Sequence, residues 1–229
     1  MGRGGSGTIF FCGCGLGCAF CQNASISRRE AGREVDARGL ADLMLALQRE
    51  GCENLNLVTP THVVPQWLAA LDLAAQDGLR LPLVSNCGGY EGLPALRRLD
   101  GVVDVYLPDL KTLDPRHASA WMDAPDYPDV AREAIREMHR QVGPLRTDPA
   151  GVATGGLIVR HLVMPGATGD AFEVLRFLAG LGPGTAVSIL DQYRPLGDAA
   201  RLPGIDRRPA PDEVRAVRVE AARLGLRVV

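Results

Sequence analysis

The residues best equipped for chemistry crowd into one short stretch, Phe10 to Asn23, with the sequence FFCGCGLGCAFCQN. Four of the six cysteines fall there. Three of them, Cys14, Cys18 and Cys21, form a C-x3-C-x2-C array directly after a short apolar run. Thiolates on so short a loop can reach three corners of one cubane, and iron–sulfur clusters are held by Cys thiolates at tight spacings of this sort. A structural zinc site needs a fourth protein ligand, and no second CxxC or HxxxH supplies one. The missing fourth ligand leaves one iron open to a substrate. Gly13, Gly15 and Gly17 would let the backbone curl around a bulky inorganic core without Cβ clashes. A structural zinc knot remains the bland alternative. A thioredoxin-like dithiol fails, because its CxxC should open a helix with no third cysteine nearby.

The other three cysteines read differently. Cys12 is a bystander thiol on the strand or a substitute ligand, the first reading being favoured. Cys52 and Cys87 read as buried thiols, since free Cys behaves as a small hydrophobe, with Cys87 the more interesting for its place near a strand end. The N-terminal MGRGGSG has no apolar segment of a secretory signal, and no run approaches the ~20 apolar residues that span a bilayer. The expected location is the cytoplasm, where thiols stay reduced and clustered cysteines mean metal or redox chemistry, not disulfides. The formal net charge of −2 argues against nucleic acid or an anionic membrane as partner.

Short apolar runs alternate with helical patterns along the 229 residues. Strands are expected at GTIFF, Asn54–Thr59, Arg80–Ser85, GVVDVYLPD, GGLIVRHLVMPG and TAVSILD. The helices between them are read at about Arg38–Glu50, Val64–Asp77, Leu93–Leu99, Pro115–Met122 and Pro128–Val142. A further helical face lies on Ala171, Val174, Leu175 and Leu178, and a last helix at about Pro211–Leu224. Leu40, Leu43, Met44 and Leu47 mark one buried face, and Ala131, Ala134, Ile135 and Met138 another. Asp126 reads as an N-cap, and Gly143–Gly155 as a loop. Strands joined by helices run parallel with right-handed crossovers. Six such units are too few to close an eight-unit barrel. The expected fold is therefore α/β, an open partial (β/α)6 barrel of parallel strands, with a doubly wound sheet as runner-up. One domain is expected over 1–229, with a flexible glycine-rich start at 1–7. Such folds place chemistry at the C-terminal ends of their strands.

The segment GTIFF-GC--GC-FCQN--IS resembles the radical S-adenosylmethionine (SAM) superfamily, in the branch of pyruvate formate-lyase activating enzyme-like proteins. The likeness continues in NLNLVTPTHVVPQ, GVVDVYLPDLK, APDYP, GLIVRHLVMPG and DQYRP, and so spans nearly the whole chain. It implies a 4Fe–4S cluster held by Cys14, Cys18 and Cys21, with SAM chelating the open iron. It also implies one-electron cleavage of SAM to methionine and a 5′-deoxyadenosyl radical that abstracts hydrogen. The hard chemistry belongs to the cofactor, and the protein holds it and excludes side reactions.

The same resemblance nominates residues at the other strand ends. Thr59, Pro60 and Thr61 stand where the superfamily commonly carries a Gly-Gly-Glu motif for the SAM amino group, and threonine hydroxyls can accept from an ammonium. Asn86 stands where the activating enzymes typically have an aspartate, which weakens a cation site while leaving a hydrogen bond to SAM. Asp109 and Lys111, the only lysine, fall near the SAM carboxylate and ribose, with a surface ion pair as the alternative. Arg160 aligns with a SAM-contacting arginine, and a charge in a doubly buried strand is costly unless paired. His161 faces the other way and reads as a packing residue. His62 reads as a helix-start residue. Tyr193 takes the place of a SAM-contacting histidine. The resemblance further implies a flavodoxin- or ferredoxin-like electron donor and, as substrate, a glycine of a glycyl-radical enzyme. Another peptide or small molecule is the alternative substrate, and a zinc-stabilised binding module the alternative outside enzymes. Many relatives carry a segment ahead of the first strand. This chain starts almost at that strand, so either the protein is shorter or its true start lies upstream.

Overall fold

The computed structural model of the chain describes residues 2–28 and 32–229. Its sheet runs in the order β1 (Gly7–Phe10), β2 (Leu55–Val58), β3 (Leu83–Cys87), β4 (Val105–Pro108), β6 (Ala153–Leu162), β7 (Ala186–Leu190) and β8 (Arg227–Val228). Every neighbouring pair in that path is parallel. The short β5 (Arg146–Thr147) pairs antiparallel with β6. The crossovers that parallel neighbours require are supplied by α2 (Ala37–Arg49), α3 (Val64–Gln76), α4 (Leu93–Arg97), α5 (Pro115–Met122), α6 (Tyr127–Val142), α7 (Thr168–Ala179) and α8 (Pro211–Arg223). A single turn, α1 (Ala24–Ser27), follows the cysteine loop.

Val58 of β2 and Leu190 of β7 line the same cavity although three strands separate them in the sheet. Only a sheet that curls can bring them together. The architecture is thus the expected open partial barrel, with one more parallel strand, β8, than the six read from the sequence. Among the described residues no helix is long and apolar enough to cross a membrane.

Local details depart from the sequence reading in instructive ways. On α2 the buried face is Leu40, Ala41, Met44 and Leu45, while Leu43 is exposed. The packed stripe includes the small Ala41. Asp36, not a residue of the helix, caps α2 by accepting from Gly39 N at 2.7 Å. Asp126 is the N-cap residue of α6 as expected, but its side chain makes no capping bond, and its carboxylate accepts from Tyr90 Oη at 2.8 Å instead. The stripe Ala131, Ala134, Ile135 and Met138 is buried as expected. β3 begins at Leu83 and runs on to Cys87, later than the Arg80–Ser85 expected. Segment 143–155 is not all loop: β5 and the start of β6 form a hairpin there, turned by Asp148, whose side chain accepts from Val152 N at 2.8 Å. At the N-terminus Gly7 already belongs to β1, and Gly5 O accepts from Glu53 N at 2.9 Å.

Candidate active site

The cysteine loop leaves β1 through Phe11, whose N–H still donates to Val58 O. It then turns at Gly13, which has φ of 86°. A Cβ there would stand 3.2 Å from His62 Nε2, so conformation and space both call for glycine. Gly15 and Gly17 do not lie in the left-handed region. His62, in the turn Thr61–Val63, is bonded through Nε2 to Cys12 O at 2.6 Å, so it holds the loop.

Further anchors fix the rest of the loop. Ala19 N donates to Trp121 O at 2.8 Å, and Ala199 N donates to Ala19 O. Arg28 donates to Cys18 O at 2.8 Å and to Asp198 Oδ2 at 2.7 Å. The loop is therefore pinned from two sides, by α5 and by the turn Gly197–Arg201.

Cys14, Cys18 and Cys21 all line one pocket, with Cys14 exposed and Cys18 buried. Cys21 Sγ lies 3.2 Å from Ser27 Oγ. Burial pushes the Cys18 thiol up, and the Lys111 ammonium opposes that rise. Among the described residues no three Cys, His, Asp or Glu side chains converge as a single-ion site requires. Three thiols on one short loop that share a pocket are a donor set that fits an iron–sulfur cluster.

Strand ends build the rest of the pocket. Thr59 and Asn86 both line it, and Thr59 N donates to Asn86 O at 2.9 Å. Thr59 has φ of 56°, an uncommon conformation for a β-branched residue. At the end of β4, Asp109 sits between two cations. Lys111 Nζ is 2.7 Å from its Oδ2, and Arg160 Nη2 is 2.6 Å from its Oδ1. All three line the pocket, so the alternative of a surface ion pair is excluded. Burial works against the Asp109 carboxylate, yet Lys111 and Arg160 outweigh it and hold it below the usual carboxylate range. The triad carries one net positive charge. Arg160 Nε is buried without a partner, so the guanidinium has donor capacity to spare. Lys111 Nζ also lies 6.0 Å from the centroid of the Phe20 ring, within cation–π reach.

Two expected contacts turn away. Thr61 does not line the pocket; its Oγ1 donates to Glu91 Oε1 at 2.8 Å. Tyr193 is 1% exposed, donates to Ile205 O at 2.6 Å and packs edge-on against Phe20. Gln192, one residue earlier, lines the pocket instead. His161 is buried on the far side of β6 from Arg160, with Nδ1 bonded to Leu110 O at 2.8 Å. It is a packing residue, and burial holds its pKa below the usual value.

Sequence reasoning also missed two buried groups. Tyr127 Oη lies 2.9 Å from the carbonyls of both Gly88 and Asp109, and accepts from Lys111 N at 3.0 Å. It ties the ends of β3 and β4 together. Glu91 is buried, and burial lifts its carboxyl to about 7, opposed by the hydrogen bond from Thr61 Oγ1. The resemblance in APDYP included Tyr127 without a role, and nothing in GGYEGLP marked Glu91 as buried.

A curled parallel sheet with a three-cysteine loop after its first strand and a charged triad at its strand ends defines a class. The model of the radical SAM superfamily matches residues 8–179, and the chain belongs to that superfamily. Its members use a 4Fe–4S cluster and S-adenosylmethionine. An uncharacterized protein of Methanocaldococcus jannaschii is 28% identical over 234 residues, which cover 98% of this chain and 64% of that protein. The chain thus spans 64% of the length of the curated relative it matches. In fold it is similar to Streptococcus suis SuiB bound to the precursor peptide SuiA, with TM-score 0.64, 11% identity, and 97% of this chain and 48% of SuiB covered. It is also similar to a domain of a pyruvate-formate lyase-activating enzyme from Bacteroides vulgatus, with TM-score 0.55, 15% identity, and 74% and 92% covered. The fold likeness therefore does not single out the activating-enzyme branch.

Proposed function

We propose that this chain is a radical SAM enzyme in which Cys14, Cys18 and Cys21 hold the cluster and the Asp109–Lys111–Arg160 triad holds SAM beside it. The observation that carries this reading is that the three thiols and the triad line one pocket. The cluster, when bound with SAM, supplies one-electron cleavage of SAM and hence a radical able to abstract hydrogen. The net positive charge of the triad suits the SAM carboxylate. Thr59 and Asn86 supply oxygens for the SAM amino group. Leu16, Phe20, Val58, Leu162 and Leu190 give the pocket apolar walls that exclude water from the reacting centre.

The favoured substrate is a glycine of a glycyl-radical protein. The segments GVVDVYLPDLK and DQYRP support it through their likeness to the activating enzymes, as does the fold shared with one activating-enzyme domain. A flavodoxin- or ferredoxin-like protein would deliver the electron beside the exposed Cys14, and the reduced thiols suit the cytoplasm.

Anaerobic reconstitution tests the reading. The expected product is a brown protein carrying a 4Fe–4S cluster that forms 5′-deoxyadenosine from SAM and dithionite. Replacing Cys14, Cys18 or Cys21 by Ala should abolish both. Coexpression with a candidate glycyl-radical partner should give a protein radical by electron paramagnetic resonance. A colourless centre with four protein ligands, inert toward SAM, would overturn the assignment.

A further inference from the structure

One buried hydroxyl grips the backbone of three pocket residues while staying outside the pocket itself. Tyr127 is the first residue of α6 and is fully buried. Its ring stacks on that of Tyr90, with centroids 6.0 Å apart. The Tyr90 hydroxyl is held in turn by Asp126, so the phenol has a fixed aim. Tyr127 Oη lies 2.9 Å from Gly88 O, 2.9 Å from Asp109 O and 3.0 Å from Lys111 N. Gly88, Asp109 and Lys111 all line the pocket, and Tyr127 does not. Burial holds the phenol well above its usual pKa. The hydroxyl therefore keeps its proton, which the two carbonyls share, and it accepts from the amide through a lone pair.

The hydroxyl stands where the strand ladder gives out. Asp109 N still donates to Cys87 O, and Leu110 N to Arg160 O. Beyond them the chain leaving β3 turns at Gly89, which has φ of 81°. A Cβ there would collide with Asp109 O and stand 3.0 Å from Tyr127 Oη, so the two strand exits are pressed together around the hydroxyl. Among the described residues, Tyr127 Oη is the one partner of Lys111 N, Gly88 O and Asp109 O. Buried backbone groups need a partner, and here one side chain serves three of them.

We propose that Tyr127 is a positioning residue of the SAM site: its hydroxyl sets the exit of β4 against the exit of β3 and so fixes where Asp109 and Lys111 present their charges. The inference rests on the reading above, in which this pocket holds SAM. Asp109 and Lys111 flank Leu110, and the hydroxyl grips the backbone on both sides of it. Their side chains carry the ion pairs of the triad. Without Oη, three buried backbone groups lose their bond in a place closed to water, and the strand exits relieve that cost by shifting. The triad shifts with them. The cysteine loop has its own anchors in His62, Trp121, Arg28 and Ala199, so the cluster keeps its place.

The test compares Tyr127→Phe with Tyr106→Phe. Tyr106 is also fully buried and lies on β4 itself, but its hydroxyl donates to Gln141 of α6 at 2.7 Å and touches nothing in the pocket. The two variants thus lose the same atom, one behind the pocket and one away from it. Equilibrium binding of SAM to the reconstituted protein is the first readout. Tyr127→Phe should bind SAM about tenfold more weakly, the scale on which losing an orienting partner shows in affinity. Its iron and sulfide contents should stay at the wild-type level, and Tyr106→Phe should bind SAM as the wild type does. Hydrogen exchange of the cluster-free proteins is the second readout. Exchange over residues 109–113 should quicken in Tyr127→Phe and not in Tyr106→Phe. Unchanged SAM affinity in Tyr127→Phe overturns the proposal, and so does an equal loss in Tyr106→Phe, which would make the effect one of general stability. Loss of iron from Tyr127→Phe also overturns it, by placing the effect on the cysteine loop. Should Tyr127→Phe not fold, 4-aminophenylalanine in place of Tyr127 carries the test. It keeps donors for both carbonyls and gives up the acceptor for Lys111 N, so SAM should bind more weakly than to the wild type, and unchanged affinity overturns the proposal. A wild type that binds no SAM overturns the underlying reading, and this inference with it.

Discussion

Asp109 and Arg160 are bridge partners across β4 and β6, and their side chains meet at 2.6 Å inside the barrel. The pairing follows from parallel register, which sets two residues side by side with both side chains on the inner face. Arg160 O also accepts from Leu110 N at 2.9 Å, so the backbone fixes the ion pair from below. Lys111 completes the triad through Asp109 Oδ2. The single carboxylate thus balances one of two cations, and the surplus charge is what makes the pocket fit an anionic group.

Asp109→Asn should be the most damaging change in the triad. It leaves Lys111 and Arg160 facing one another with no counter-charge, and removing one partner of a buried pair costs about 3–5 kcal/mol. Arg160→Met leaves a neutral Asp109–Lys111 pair and should cost less, about 1–3 kcal/mol. Urea unfolding of the cluster-free protein checks the order of the two. A reversed order would mean that the triad's charge balance does not govern its stability.

Arg28→Ala should loosen the cysteine loop without unfolding the protein. Its pair with Asp198 is exposed on both sides, at 40% and 61% of the side chain, and such solvent-screened pairs contribute little. The bond to Cys18 O has a local purpose, since it fastens the backbone of a central thiol. Hydrogen exchange over residues 12–28 should quicken while the global unfolding midpoint moves little. Asp198→Ala should have the weaker effect, because it leaves the bond to Cys18 intact.

The parts of the site legible in the sequence were those that broke a local rule. Three thiols after a strand, and an arginine inside LIVRHLV, are anomalies that only chemistry or pairing resolves. The misassigned residues lie one or two positions from correct ones. Tyr193 adjoins the pocket-lining Gln192, and at a strand end a one-residue offset sends a side chain to the other face, whereas Thr61 lies beyond Thr59 in the turn Thr61–Val63, where strand alternation no longer holds. Glu91 gave no signal, since a carboxylate in a glycine-rich turn reads as solvated until the fold closes over it. β8 was missed because two exposed residues, Arg227 and Val228, carry no periodicity. The β5–β6 hairpin hid behind the Pro, Gly and Thr content of a loop.

Thr59→Gly should stabilise the protein and weaken its hold on SAM. A β-branched residue at φ of 56° is strained, and such strain costs about 1–3 kcal/mol. Glycine relieves it but raises the entropy of the unfolded chain, so the expected net gain is about 0.5–1 kcal/mol. The urea midpoint should rise with an unchanged slope. SAM affinity, measured by equilibrium binding to the reconstituted protein, should fall as the hydroxyl is lost. A drop in stability would show that Thr59 makes packing contacts worth more than its strain.

Glu91 should leave a mark on stability between pH 4.5 and 7. Its carboxyl titrates at an ordinary 4.5 when unfolded and at about 7 when folded. Within that window the folded state holds the extra proton. Its contribution is therefore complete below pH 4.5 and lost as pH rises to 7, a change of about 3 kcal/mol. His161 works the other way, because burial lowers its folded pKa and favours the folded state as pH rises. Glu137 and Glu213, both lowered to about 2 by arginine partners, act only at lower pH. Urea midpoints at several pH values for wild type and Glu91→Gln separate these contributions. The glutamine protein should gain on the wild type steadily from pH 4.5 to 7 and no further above it. Parallel curves across that range would mean that Glu91 is ionised in the folded protein, with a partner to hold its charge.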